Sequence, residues 1–285
     1  MDISGLGIDV SNTHQLRKIA KRKLISLHTV LRLVDVAKRK GKDRQVKSYW
    51  NTYHCINKIY SINGRAHGKY CKNRICTVCS ANRKADLINR YYPFLQTWEE
   101  HHFLTLTTTA VPAKHLRKRI DEMLKVFTLI KEKYRKRVSR NNETKLKGVR
   151  SFECNFNPVR RTYNPHLHII TNSYKSAKIL NVEWLNYMGK ERARPIGQHL
   201  KKVHDLSRDL IEIIKYGSKI FTEPDLERMS LNKITPYVYV AALDNILSAM
   251  TGLRLFERFG FNLPQPRIFT NIKTIASGIC QENLF

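Results

Sequence analysis

Acidic residues are scarce in this chain. Among 285 residues, 23 Asp and Glu stand against 52 Lys and Arg, which gives a formal net charge of +29. The excess of cations is spread along the chain and is not confined to a tail. A folded protein tolerates that much self-repulsion poorly unless it works on a polyanion. The composition therefore predicts a nucleic-acid partner, with an anionic membrane surface as the alternative.

Long apolar runs are also missing. No stretch approaches the roughly 18 apolar residues of a membrane-spanning helix. Residues 1–10 lack the basic-then-apolar pattern of a signal peptide. These absences predict a cytoplasmic protein with no membrane partner. Because 42% of the residues are hydrophobic, the chain can still bury one main core, with a smaller module beside it.

Cysteine is rare, but four of the six cysteines lie close together: Cys55, Cys71, Cys76 and Cys79. The last two form a C-x-x-C pair. In a reducing compartment, such a cluster is more typical of a tetrahedral Zn²⁺ site than of two disulfides. Buried free thiols are the alternative, and His54 or His67 could replace Cys55 as a ligand.

Basic residues surround this cysteine cluster. They would keep the thiolates anionic and would offer the same surface to DNA phosphates. The residues predicted to bind DNA here are Lys72, Arg74, Arg83 and Lys84.

Two imidazoles occur in a segment with the pattern of a strand, residues 163–170. Side chains alternate across a strand, so His166 and His168 share one face while Leu167 and Ile169 turn to the other. Two imidazoles on one face form a pair of metal ligands. The pattern alone also fits histidines with a structural role.

A carboxylate lies in the preceding predicted strand, residues 149–157. If this strand pairs with the histidine strand, Glu153 lies beside the two imidazoles and completes a set of three ligands. That set predicts Mg²⁺ or Mn²⁺ with open positions for water. The alternative is an ordinary surface ion pair between Glu153 and Arg150 or Arg160.

A third polar group lies on a predicted helix. Glu212, Tyr216 and Lys219 recur at helical spacing beside an apolar stripe, so a carboxylate, a phenol and an ammonium share one side. A phenol is a poor nucleophile at neutral pH, but a metal and a lysine can lower that barrier. An ordinary half-buried tyrosine is the alternative. Lys215 adds a cation for DNA binding.

The order of these motifs resembles the rolling-circle plasmid replication initiators of the HUH endonuclease superfamily. The matching parts are a cysteine cluster of the form C-x4-C-x2-C, F-L-T-L-T, a strand glutamate, N-P-H-L-H and E-x3-Y-x2-K. Counted from Cys55 of the cluster, they span roughly residues 55 to 219. Thr77 stands where the family usually has a proline after the first cysteine of the C-x-x-C pair.

The resemblance implies a nicking enzyme. His166 and His168 would bind the divalent metal, and Tyr216 would attack one strand of single-stranded or hairpin origin DNA. The attack leaves a 5′-phosphotyrosine and a 3′-hydroxyl that primes a polymerase, with a host helicase as a further partner. Glu212 matches the carboxylate that activates water to end the cycle, a step that a second protomer in a homodimer could perform instead.

The same elements predict an α+β fold. A central antiparallel sheet carries the histidines on its exposed face, with flanking helices and a small zinc-binding module. The predicted division is a basic helical region at 1–50, the zinc-binding module at 51–100, an HUH nicking-closing domain at 101–260 and a tail at 261–285. Two other functions stay open: a transposase of the same superfamily, and a non-catalytic zinc-containing DNA-binding protein.

Overall fold

The computed structural model describes residues 8–9, 13–62, 65–140, 144–214 and 236–263. The chain divides into two compact units, one formed by residues 1–83 and 228–248 and the other by residues 84–227 and 249–285. The first unit contains the cysteine cluster and the second contains the histidine strand. The four-part division drawn from the sequence stays a prediction.

Helices and strands alternate irregularly along the described residues. The helices are α1 (Thr13–Arg39), α2 (Asp43–Tyr53), α3 (Thr77–Leu95), α4 (Ala113–Val138), α5 (Tyr174–Met188), α6 (Leu206–Ile214) and α7 (Pro236–Ala249). The strands are β1 (Ile8–Asp9), β2 (Ile59–Ile62), β3 (Arg65–Gly68), β4 (His102–Thr107), β5 (Gly148–Asn157), β6 (Thr162–Thr171), β7 (His199–Lys202) and β8 (Phe256–Phe259). None of these described helices combines the length and apolar composition needed to cross a bilayer.

The first unit contains a small sheet in which β3 lies between β1 and β2, with antiparallel pairing throughout. The long basic helix α1 buries an apolar stripe that includes Val30, Leu33 and Ala37. A buried carboxylate, Asp244 of α7, accepts hydrogen bonds from Lys40, Lys42 and Tyr49. These bonds join α7 to the turn between α1 and α2 and to α2.

The second unit contains a five-stranded sheet in the order β7-β4-β6-β5-β8, with every neighbouring pair antiparallel. The α+β prediction with a central antiparallel sheet and flanking helices is confirmed. The strand β6 is central because the long strands β4 and β5 pair along both of its sides. This register decides which side chains share a face.

One face of this sheet is apolar along its length. Leu104, Phe152 and Leu167 are fully buried on it. The helix α4 packs here, since the Phe127 ring contacts the Phe259 ring edge-on at 5.4 Å. The helix α5 lies beside α4, where the Tyr134 hydroxyl donates a hydrogen bond to Glu183. These two helices therefore cover the face that points away from the histidines.

The opposite face is divided into two parts. At one end, Phe103, Val149 and Ile170 pack against α3 and α6 in a single apolar cluster. At the other end, the same face continues into polar residues, among them His166, His168 and Glu153. The polar end of this face is the candidate site.

Candidate active site

The structure brings together the three side chains that the strand patterns predicted to meet. Glu153 of β5 lies directly across from His166 of β6 in the antiparallel register. Its Oε2 atom is 3.0 Å from Nε2 of His168 and 3.5 Å from Nε2 of His166. All three donor atoms lie within 4.8 Å of one another, so this group could hold a metal ion.

Hydrogen bonds orient both imidazoles. Nδ1 of His166 donates to the backbone carbonyl of Asn164 at 3.0 Å, which turns Nε2 toward Glu153. Nδ1 of His168 is 3.2 Å from the Thr105 hydroxyl. Outer partners of this kind usually hold metal-binding histidines in the required tautomer. Both Nε2 atoms therefore point toward the same carboxylate oxygen.

Glu153 is held in its charged form. Burial raises the pKa of this carboxyl, but hydrogen bonds with His166 and then His168 outweigh burial and lower the pKa to about 2. The side chains of Glu153 and His168 keep 11% and 15% of their exposure, so the group still touches solvent. The predicted alternative of an ion pair with Arg150 is wrong, because Arg150 pairs with Glu257 on the other face of the sheet.

The spacing of the three donor atoms fits a hard divalent cation. Adjacent ligands in an octahedral complex with bonds of about 2.1 Å lie about 3.0 Å apart. The two distances from the Glu153 oxygen to the imidazole nitrogens are 3.0 and 3.5 Å. One carboxylate and two imidazoles also leave three octahedral positions for water or phosphate oxygens.

Two polar neighbours of the site were not singled out in the sequence. Ser151 lies across from His168 in the register, and its buried Oγ atom has no hydrogen-bond partner among the described residues. Buried polar atoms in native proteins are nearly always paired, so this hydroxyl is available to a ligand or water at the site. Thr105 lies across from His168 on the other side. Their alternation with buried apolar residues is the signal that could have identified them.

The predicted helical group is described only in part. Glu212 lies in α6, half-buried, and it borders an open cleft of about 420 Å³ that Lys201, His204 and Arg208 also line. The helix α6 packs on the same face of the sheet as the histidines, through Leu210, Ile213 and Ile214. Tyr216, Lys215 and Lys219 lie outside the described residues.

The four clustered cysteines also come together. Their sulfur atoms lie within 4.8 Å of one another, and Cys79 Sγ is 3.6 Å from both Cys55 Sγ and Cys71 Sγ. Thiolates around a tetrahedral ion with bonds of about 2.3 Å lie about 3.8 Å apart. None of the described cysteines forms a disulfide. The four thiols could therefore hold a metal ion, and Cys55, rather than His54, completes the set.

Local backbone structure favours anionic sulfur. Backbone N–H groups of Cys71, Asn73 and Cys79 point at the sulfurs of Cys55, Cys71 and Cys76 at 3.4 to 3.5 Å. The positive end of the α3 dipole lies at the C-x-x-C pair, because α3 begins at Thr77. Contacts among the four sulfurs lower the pKa of Cys71 and Cys76 and raise the pKa of Cys55 and Cys79, so the cluster shares its protons unequally.

The backbone is strained at the residues that follow two of the cysteines. Ile56 and Lys72 both have φ of 56°, in the left-handed region that non-glycine residues rarely adopt. Such conformations cost about 1 to 3 kcal/mol each and persist where surrounding interactions impose them. Ile56 follows Cys55 and Lys72 follows Cys71, so both strained residues turn the chain at a cluster sulfur.

The predicted DNA-binding residues near this cluster differ in their exposure to solvent. Lys72 is exposed, and Arg74, Arg83 and Lys84 are half-buried. Arg83 donates to the backbone carbonyl of Lys72 at 2.8 Å, which ties the start of α3 to the cysteine loop. Their role in binding DNA stays a prediction.

Comparisons with known proteins identify the family. The sequence model of the family described as "Replication protein" matches residues 64–222, more than half of the chain. "Protein rep" of Staphylococcus aureus is 32% identical over 178 residues, which cover 57% of this chain and 72% of that protein. "Protein rep" of Streptococcus pneumoniae serotype 2 (strain D39 / NCTC 7466) is 27% identical over 159 residues, which cover 52% of this chain and 47% of that protein. No solved structure matches the chain.

Proposed function

The chain belongs to the replication protein family, and from this premise we propose that it initiates plasmid replication by nicking one strand of the origin. The observation that carries this proposal is the group of Glu153, His166 and His168, whose donor atoms converge on one point. The net charge of +29 supports a nucleic-acid substrate. The family match favours replication over transposition.

Glu153, His166 and His168 are proposed to hold Mg²⁺ or Mn²⁺. Bound there, the cation would polarise the scissile phosphate and stabilise charge on its oxygens. The chain's own contribution is orientation: Asn164 and Thr105 hold the imidazoles so that both Nε2 atoms face the ligand position. The family resemblance supports these two histidines as the ligands.

Tyr216 is the proposed nucleophile. Its phenol oxygen would form a bond to phosphorus while the bond from phosphorus to the 3′-oxygen breaks. The products are a 5′-phosphotyrosine and a 3′-hydroxyl that a polymerase can extend, and the tyrosyl link keeps the energy of the phosphodiester. Lys219 would face the negative phosphate, and Glu212 would take a proton from the water that later releases the adduct.

The cysteine cluster is proposed to bind Zn²⁺ as a structural ion. Four thiolates with tetrahedral spacing and no open position suit structure rather than catalysis. The adjacent cations Lys72, Arg74, Arg83 and Lys84 would then bind DNA phosphates on a surface that the metal keeps folded. Host helicase, polymerase and a second copy of the chain are further proposed partners.

Peptide mapping of a covalent adduct tests the proposed chemistry. With a labelled single-stranded or hairpin origin oligonucleotide and Mn²⁺, the protein should form an adduct that resists denaturation, and the label should map to Tyr216. Tyr187 and Tyr237, which are 43% and 47% exposed, are the tyrosines to exclude. An adduct on either would contradict the nucleophile but keep the enzyme class. No adduct on any supplied origin would favour a non-catalytic DNA-binding protein.

Removal of a cysteine ligand tests the structural metal. Cys76→Ser is expected to release zinc and to unfold the module around it, because metal binding and local folding share one free energy, about 10 kcal/mol or more in zinc-finger peptides. Elemental analysis and limited proteolysis measure the two effects. Cys154→Ser is the matched control, because Cys154 is a buried thiol outside the cluster. Full zinc content in Cys76→Ser would contradict the assignment.

A further inference from the structure

A basic pocket lies in the second unit, on the face of the sheet that points away from the histidines. It is an open cavity of about 330 Å³ between the C-terminal half of α4 and the end of β8. We call it the α4–β8 pocket. Phe259 at its floor contacts Phe127 of α4, which places the pocket on the opposite face from Glu153.

Positive charge is in excess at the pocket. Arg135 and Lys145 line it, and no carboxylate of the described residues pairs with either of them. Arg258 also borders the cavity, but it lies across from Val149, so its side chain turns to the histidine face. Glu132 is the acidic residue among those that line the cavity. A fourth lining cation, Lys131, pairs with Glu257. The cavity wall therefore offers two cations that are free to meet an anion.

A buried guanidinium, that of Arg150, adds positive charge beneath the residues that line the pocket. Arg150 is 5% exposed and shares Glu257 with Lys131, so one carboxylate serves two cations. Nε and Nη1 of Arg150 are buried without a hydrogen-bond partner among the described residues. Buried charge in excess strengthens the local attraction for an anion because low-dielectric surroundings screen it poorly.

The floor of the pocket is apolar and tightly packed. Tyr134, Leu146 and Phe259 are buried there, each at 6% exposure. Gly260 has φ of +75°, and a Cβ atom at this position would lie 1.8 Å from the carbonyl oxygen of Leu146. The wall therefore needs glycine at this position, because any side chain would push it away from the Leu146 backbone.

We propose that the α4–β8 pocket binds one nucleotide. The phosphate would meet Arg135 and Lys145 through charge-assisted hydrogen bonds, and the base would lie on the apolar floor. A cavity of about 330 Å³ is at the lower end of the range for small-molecule sites. The occupant is either a free nucleotide or one nucleotide of a bound DNA strand, since both present the same chemistry.

Fluorescence anisotropy with labelled dAMP and with a labelled single-stranded oligonucleotide tests this site. Arg135→Gln/Lys145→Gln should weaken dAMP binding at least about tenfold. Lys114→Gln/Lys118→Gln is the matched control, because it removes the same charge from exposed positions near the other end of α4. The control should bind dAMP within about twofold of the unaltered protein.

The binding measurements distinguish a free nucleotide from one nucleotide of a bound DNA strand. Weaker oligonucleotide binding in Arg135→Gln/Lys145→Gln than in the control assigns the site to a strand nucleotide, and an effect on dAMP alone assigns it to a free nucleotide. Equal affinities in both double variants would overturn the proposal. Competition by inorganic phosphate as strong as that by dAMP would also overturn it, since the base would then add nothing. His166→Ala/His168→Ala should bind dAMP normally, so failure of the nicking proposal would leave this result unaffected.

Discussion

Replacing both His166 and His168 with alanine is expected to lower cleavage of a labelled origin strand by roughly 10³-fold, because the proposed divalent cation would lose two of its three proposed protein ligands. The remaining ligand, Glu153, cannot hold the cation alone in competition with water. Binding of the oligonucleotide should change little, since affinity depends on the many cations of the surface. Gel assays of cleavage and anisotropy measurements of binding separate the two effects.

A matched control removes two other imidazoles. His28 and His115 are exposed on α1 and α4, so His28→Ala/His115→Ala makes the same chemical change away from the site. It should cleave as the unaltered protein does. Circular dichroism of both variants checks that the sheet remains folded. Cleavage at the normal rate, with normal dependence on Mn²⁺, in His166→Ala/His168→Ala would rule out this metal site.

Tyr216→Phe is expected to abolish the covalent adduct completely, because the substitution removes the atom that is proposed to form the bond to phosphorus. The oligonucleotide affinity and its decline with salt should stay nearly unchanged, since the lost hydroxyl adds no charge. Denaturing gels with labelled DNA detect the adduct. An adduct of undiminished yield in Tyr216→Phe would refute Tyr216 as the nucleophile.

Glu212→Ala is expected to affect a later step of the reaction than Tyr216→Phe does. It keeps the nucleophile but removes the carboxylate proposed to activate the closing water, so nicking should continue while the adduct accumulates over time. If adduct release is as fast in Glu212→Ala as in the unaltered protein, a second copy of the chain becomes the favoured agent of closure. A dependence of the release rate on protein concentration would support that alternative.

The strand patterns predicted most of the site because each depends on short-range alternation. His166 and His168 share a face by spacing alone, and Glu153 needed one further step, the pairing of consecutive strands β5 and β6. Strands that are consecutive in the chain often pair with each other, so the sequence alone supported the pairing of β5 with β6. The cysteine cluster was predictable for a similar reason, since metal ligands are chemically distinctive even when their positions are far apart.

Other parts of the fold left no local signal. Pairing of β8 with β5 joins residues about a hundred positions apart, and nothing near Phe256 in the sequence indicates it. The ion pair of Arg150 with Glu257 depends on this pairing, and so does the α4–β8 pocket. The helix α5 was also missed, because its stripe around Leu180 and Trp184 is short. Its burial comes from contact with other elements.

The antiparallel register of β5 and β6 makes the candidate site depend on complete folding. Glu153 shares a strand with Phe152 and Cys154, which are buried on the opposite face. A slip of one residue would turn Glu153 into the apolar layer and would put a phenyl ring or a thiol beside the imidazoles. A newly made or partly unfolded chain therefore lacks the complete ligand set. Such a chain is not expected to cleave DNA by the proposed mechanism, because the packing that completes the core also completes the ligand set.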